Sequence, residues 1–103
     1  MHCFTGTQQE ALKSIDLGFS VSFSGIITFK NAEDLRATVK VIPEDKLLIE
    51  TDCPFLAPVP HRGKKNEPSF LPHTAAVIAA SRGTTLDHIA QITTQNAIRF
   101  FGL

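Results

Sequence analysis

Tryptophan and tyrosine are absent from these 103 residues, and methionine occurs once, so eight phenylalanines carry the whole aromatic content. Only two cysteines occur, Cys3 and Cys53, and they have no CxxC spacing. That excludes a disulfide scaffold and argues against a zinc knuckle or a redox pair, leaving two reduced thiols as the simplest reading. No apolar run approaches the roughly 18 residues of a membrane span, and no basic-then-apolar leader opens the chain. The default expectation is a cytoplasmic protein with no membrane partner. Net charge is zero, so the chain as a whole is not an electrostatic nucleic-acid binder. Positive charge is dense only at Arg62, Lys64 and Lys65.

What is present is an ordinary globular composition, 43% apolar and 19% charged, at a length that suits one domain, residues 1–103. Met1 to Phe4 forms a strand stub that breaks at Thr5-Gly6. Thr7 and Glu10 stand at capping-box spacing, Ala11, Leu12 and Ile15 give a helical face, and Gly18 is a stop. Phe19, Val21 and Phe23 then alternate with Ser20, Ser22 and Ser24, which predicts a strand with one apolar and one small polar face. A loop over 25–30 follows. Asn31 and Asp34 open a second helix through Leu35 and Val39 toward Ile42, ended by Pro43.

Leu47 to Ile49 reads as a strand covered on both faces. A period of two places Leu48, Glu50 and Asp52 on one face unless the chain turns before Asp52. Residues 53–68 make a long loop with Pro54, Pro58, Pro60 and Pro68, and loops of that length are functional or disordered. A third helix starts near Pro72 and ends at Arg82-Gly83. Thr85 caps another through Ile89 and Ile92, and a last short helix carries Ala97 to Gly102. Alternating β and α units imply an α/β fold with a parallel sheet. Two full strands with exposed edges look like a cut from a larger sheet or barrel.

The chemistry-bearing candidates are His2, Glu50, Asp52, His61 and Arg62. Carboxylates and imidazoles are ligands for magnesium, manganese or zinc, and carboxylates at a buried strand's end suit metal-assisted hydrolysis. A loop bearing His and Arg beside them suits a phosphate. Each has a structural alternative: a frayed terminus for His2, a turn residue for Asp52, a salt-bridge partner for Glu50, a solvated loop face for His61 and Arg62. His73 and His88 read as structural helix residues. Cys53, with no adjacent base, reads as packing.

These residues sit in runs that resemble a known family. His2-Cys3-Phe4-Thr5-Gly6, the stretch from Ser22 to Ala32, Leu48-Ile49-Glu50-Thr51-Asp52-Cys53-Pro54, the stretch from Leu56 to Lys64, Asn66-Glu67-Pro68, Thr93 to Ala97 and Phe101-Gly102-Leu103 are similar to TatD-type metal-dependent deoxyribonucleases. The resemblance covers essentially the whole chain. It implies a TIM-like (β/α)8 barrel, a fold of about 250 residues, of which this chain matches the end of strand six through strand eight and the closing helices. It implies a divalent metal cofactor (Mg, Mn or Zn) and DNA or another phosphoester as substrate. On that reading His2 and Asp52 are metal ligands, Asp52 also helps activate water, Glu50 supports them, and His61 with Arg62 meets a phosphate.

The resemblance also implies ligands that these residues lack: an HxH pair, a Glu and a further His. The isolated chain is therefore expected to be inactive or nearly so. The alternatives are a non-catalytic remnant or split-gene half that binds a partner chain or a phosphate or self-associates, and a hydrolase of another phosphoester. Exposed strand edges and helix faces lead to an expected oligomer, aggregate or molten state.

Overall fold

A computed structural model describes all of residues 1–103. Its elements are α1 (Gln8–Asp16), β1 (Val21–Phe23), α2 (Glu33–Val39), β2 (Leu47–Ile49), α3 (Leu71–Arg82) and α4 (Leu86–Phe101), with short 3-10 turns at Gly25–Thr28, Glu44–Lys46 and Pro68–Phe70. The two strands pair in parallel, with Val21 opposite Leu47, Ser22 opposite Leu48 and Phe23 opposite Ile49. This is the α/β arrangement that the alternation of the sequence implies.

Local signals set most boundaries. The Thr7 hydroxyl accepts from the Glu10 amide at 3.2 Å and the Glu10 carboxylate accepts from the Thr7 amide at 2.9 Å. That amide first, then the hydroxyl, holds the Glu10 carboxyl below the ordinary glutamate value. Gly83 takes the left-handed conformation (φ 68°) that ends α3, where a Cβ would be strained. Thr85 caps α4 by accepting from the His88 amide at 3.1 Å.

Four expectations are corrected. The Gly25–Thr28 segment is a 3-10 turn rather than open loop, because the Thr28 hydroxyl donates to the Gly25 carbonyl at 2.7 Å. Helix α2 starts at Glu33 behind Ala32 instead of at Asn31, and it stops at Val39 before reaching Ile42. The two expected terminal helices are one, since Thr93 stays helical by donating its hydroxyl to the Ile89 carbonyl at 2.7 Å. Strand β1 starts at Val21, so Phe19 lies outside it and is exposed, while Ser22 and Ser24 on the small polar face have little exposure of their own.

The core lies between the sheet and the helices. Val21, Phe23, Leu47, Ile27, Ile42, Ile78 and Ile89 are buried there, and Phe4 meets Phe23 edge-on with centroids 5.9 Å apart. In α3, Thr74, Ala75, Ile78 and Ala79 face this core, a stripe of small residues around one large one. Strand β2 is anchored at its start by Asn96, whose amide donates to the Glu44 and Leu47 carbonyls at 2.5 and 2.8 Å. Arg82 similarly donates to the Val39 and Ile42 carbonyls, both at 2.6 Å, and ties α3 to the end of α2.

The opposite face of the sheet is open. Ser20, Ser22, Leu48 and Glu50 line a cleft of about 330 Å³ with Met1 and His2, bounded by Phe100 and Phe101 of α4. Leu48 is therefore only half-buried, and Ile49, packed against the edge of the core, is half-buried as well. The expectation of cover on both faces of β2 holds for Leu47 alone.

Candidate active site

His2, Glu50 and Asp52 lie where the parallel strands end. Met1–Phe4 is not a regular strand, but it does run along β1. The Met1 amine donates to the Ser20 carbonyl at 3.1 Å, and the Met1 carbonyl accepts from the Ser22 amide at 2.9 Å. A regular parallel ladder would next bring the Cys3 amide to the Ser22 carbonyl. Phe4 makes that bond instead, at 2.9 Å, so one extra residue is accommodated and Cys3 adopts φ 48°. This is a bulge, a device that re-aims side chains beside sites.

The bulge takes the Cys3 amide out of the ladder, and Glu50 satisfies it. Glu50 continues the strand register, its amide donating to the Phe23 carbonyl at 2.9 Å. Its carboxylate then reaches back, with Oε2 accepting from the Cys3 amide at 2.7 Å and Oε1 standing 3.5 Å from His2 Nδ1. One register step beyond Phe23–Ile49, Ser24 lies opposite Glu50, and the Cys3 thiol approaches the Ser24 hydroxyl at 3.5 Å. A larger side chain at Ser24 would crowd that approach. The His2 ring remains 87% exposed while the Glu50 side chain is 21% exposed, so the pair presents an imidazole outward on a half-buried carboxylate.

Asp52 does not lie on an extended strand with Glu50. The strand ends at Ile49, and Asp52 takes a left-handed conformation (φ 56°), one that Asp tolerates better than most residues. The chain turns there: the Asp52 carbonyl accepts from the Phe55 amide at 2.9 Å, and the Cys53–Pro54 peptide is cis. The Asp52 side chain is exposed and belongs to neither of the chain's two ion pairs, His2–Glu50 and His88–Glu44.

The rest of the long loop is fastened rather than loose. The Val59 amide donates to the Thr28 hydroxyl at 2.8 Å. Gly25 lies so close that a Cβ there would stand 2.2 Å from the Leu56 carbonyl oxygen, so only glycine fits. His61 stacks on Phe70 with ring centroids 3.9 Å apart and planes 6° from parallel, and His73 meets it edge-on at 5.0 Å. Arg62 places its guanidinium carbon 4.1 Å from the centre of the Phe29 ring. Arg36 holds the backbone beneath that ring by donating to the Ile27 and Phe29 carbonyls at 2.9 and 2.7 Å.

The structure thus joins His2 to Glu50 and sets Asp52 two residues beyond, while His61 and Arg62 are held separately on aromatic partners. For a divalent ion the donor chemistry is suitable, imidazole nitrogen and carboxylate oxygen. The number is not: no three of the His, Cys, Asp and Glu side chains come together as a metal group. Ser24, Gly25 and Asn66 were not singled out as site residues by the sequence. Gly25 stands two residues beyond β1, where a glycine can mark a close backbone approach.

Comparison with known proteins gives the family. The family model for TatD related DNase matches residues 1–102. The uncharacterized metal-dependent hydrolase YcfH of Escherichia coli (strain K12) is 50% identical over 101 residues, covering 98% of this chain and 38% of that protein. The uncharacterized metal-dependent hydrolase YabD of Bacillus subtilis (strain 168) is 52% identical, again over 98% of this chain and 40% of its own length. Among solved structures, the TatD homolog YJJV of Escherichia coli K12 superposes with a TM-score of 0.91 at 30% identity, over 100% of this chain and 40% of that one. The chain therefore spans about two fifths of the length of these relatives.

If the Glu50 carboxylate is what holds the bulge, Glu50→Ala leaves the part-buried Cys3 amide without an acceptor and costs about 1–3 kcal/mol of stability. Denaturant melts and Cys3 amide exchange check this. Faster Cys3 exchange is expected, and an unchanged rate contradicts the assignment. With this clasp on the sheet's carboxyl edge and the family match over residues 1–102, the chain belongs to the TatD related DNase family of metal-dependent hydrolases.

Proposed function

We propose that this chain forms the closing part of a TIM-like barrel, from the end of strand six through strand eight and the final helices, and supplies part of the active site of a divalent-metal-dependent phosphodiesterase acting on DNA. The observation that carries the reading is the joining of His2 to Glu50 at the same strand ends from which Asp52 emerges. When bound, a magnesium, manganese or zinc ion would supply an acidified water and positive charge for the phosphoryl oxygens.

The chain's own residues have distinct parts in this scheme. His2 and Asp52 offer ligand atoms, and Glu50 orients His2 while holding the backbone beneath it. The Asp52 carboxylate accepts the proton of the attacking water. Arg62 and His61, restrained on Phe29 and Phe70, donate hydrogen bonds to the phosphate. Because the relatives are about two and a half times longer, the remaining ligands belong to the portion of the family fold outside these residues. The 103 residues alone are therefore expected to hydrolyse DNA weakly or not at all.

The test is a chimaera in which residues 1–103 replace the matching segment of the Escherichia coli relative YcfH. Assayed on DNA with Mg²⁺, Mn²⁺ or Zn²⁺, it is expected to be active, and Asp52→Ala should lower the rate about 10²–10⁴-fold. Full activity of that variant would remove Asp52 from the mechanism. Strong hydrolysis by the isolated chain, lost on Asp52→Ala, would contradict the incomplete-site reading.

A second reading is favoured by the open sheet face, where Phe100 and Phe101 are 59% and 66% exposed. On this reading the isolated chain binds a second chain, either a copy of itself or the rest of the barrel, over that cleft. Sedimentation should show concentration-dependent association that Phe100→Ser with Phe101→Ser weakens. A monomer with a sharp cooperative melt would overturn it.

A further inference from the structure

Asn66 is buried, 4% exposed, in the middle of an otherwise exposed run from Arg62 to Ser69, and polar side chains are buried in such loops only when fully bonded. Its side-chain nitrogen donates to the Thr51 carbonyl at 2.7 Å and to the Phe55 carbonyl at 2.8 Å. Its Oδ1 accepts from the Glu67 amide at 2.9 Å, and its own backbone amide donates to the Pro54 carbonyl at 2.9 Å. Three of these four bonds close on the segment 51–55, with Asp52 inside it.

The two carbonyls that the side chain holds flank Asp52. One belongs to the peptide that precedes it. The other belongs to Phe55, whose amide is bonded to the Asp52 carbonyl. Between Ile49 and Pro68 there is no helix or strand to fix the backbone, so the left-handed turn at Asp52 depends on contacts of this kind. The chemistry required is narrow, because two acceptors must be served from one buried point. A primary amide offers two N–H groups there, a hydroxyl offers one, and a carboxylate would set lone pairs against both carbonyls.

We propose that Asn66 is the positioning residue for Asp52: it clamps the turn that aims the Asp52 carboxylate and acts on the reaction only through it. The proposal rests on the reading of Asp52 as the reacting carboxylate. The structure contains its own control. Asn96 makes the same double donation at the other end of β2, to the Glu44 and Leu47 carbonyls, and is also buried, 6% exposed. Loss of Asn96 should loosen the strand but leave the turn at Asp52 as it is.

The experiment compares Asn66→Ala, Asn66→Asp and Asn96→Ala in the YcfH chimaera, by amide hydrogen exchange within residues 1–103 and by DNA hydrolysis. The two Asn66 variants should speed exchange at the Phe55 amide about tenfold, the effect of one lost hydrogen bond, while Phe23 and Leu47 keep their protection. Hydrolysis should fall in kcat with KM little changed. Asn96→Ala should give the reverse pattern, faster exchange at the start of β2 and parent-like exchange at Phe55.

The proposal is overturned if Phe55 exchange is unchanged in both Asn66 variants. It is equally overturned if Phe23 and Leu47 lose protection in step with Phe55, which would make Asn66 a general structural residue. Should Phe55 exchange rise as expected while hydrolysis ignores Asp52→Ala, the clamp stands and the catalytic reading of Asp52 fails.

Discussion

A single carboxylate, that of Glu50, holds together the end of the sheet on which the candidate site is built. The bulge at Cys3 removes a backbone amide from the ladder, and a part-buried amide without a partner is costly. Glu50 meets that need with one oxygen and faces His2 with the other. The imidazole is thereby tied to a backbone position rather than to a mobile terminus. The serine at position 24 opposite Glu50 and the glycine at position 25 leave the space that this clasp and the returning loop occupy. Substitutions there would act on the site without touching any candidate ligand.

The same economy shapes the loop proposed to meet a phosphate. On that proposal a neutral chain has no general field to draw a polyanion, so the cations that meet it need fixed positions. Arg62 lies against Phe29, whose backbone Arg36 holds, and His61 is stacked on Phe70 at the entry to α3. With neither tyrosine nor tryptophan available, phenylalanine provides both platforms.

Features set by neighbours in sequence were legible. The Thr7–Glu10 box, the glycine stops and the Thr85 cap are local chemistry, and each appears where the residues indicate. The short strand at Leu47–Ile49 was legible from its apolar run, though not the half-exposure of Leu48 and Ile49. What escaped depends on contacts far along the chain. The bulge at Cys3 needs Glu50, 47 residues away, and the turn at Asp52 needs Asn66. The continuity of α4 past Thr93 depends on a hydroxyl bonding back to its own helix, where β-branched Thr-Thr reads as a break. The burial of Ser22 and Ser24 follows from Met1–Phe4 pairing along β1, a partner that alternation alone does not reveal.

Should His2 and Asp52 hold the metal as proposed, the strand ends that carry them with Glu50 are the chain's metal-facing edge. Iron-directed backbone cleavage of the YcfH chimaera tests this without requiring turnover: Fe²⁺ is added with ascorbate and peroxide, and the cut positions are read by mass spectrometry. Cuts concentrated at residues 1–4 and 50–53, and lost when both His2 and Asp52 are replaced by Ala, are the predicted result. Cuts centred on His73 or His88, or a pattern indifferent to those two substitutions, would contradict it.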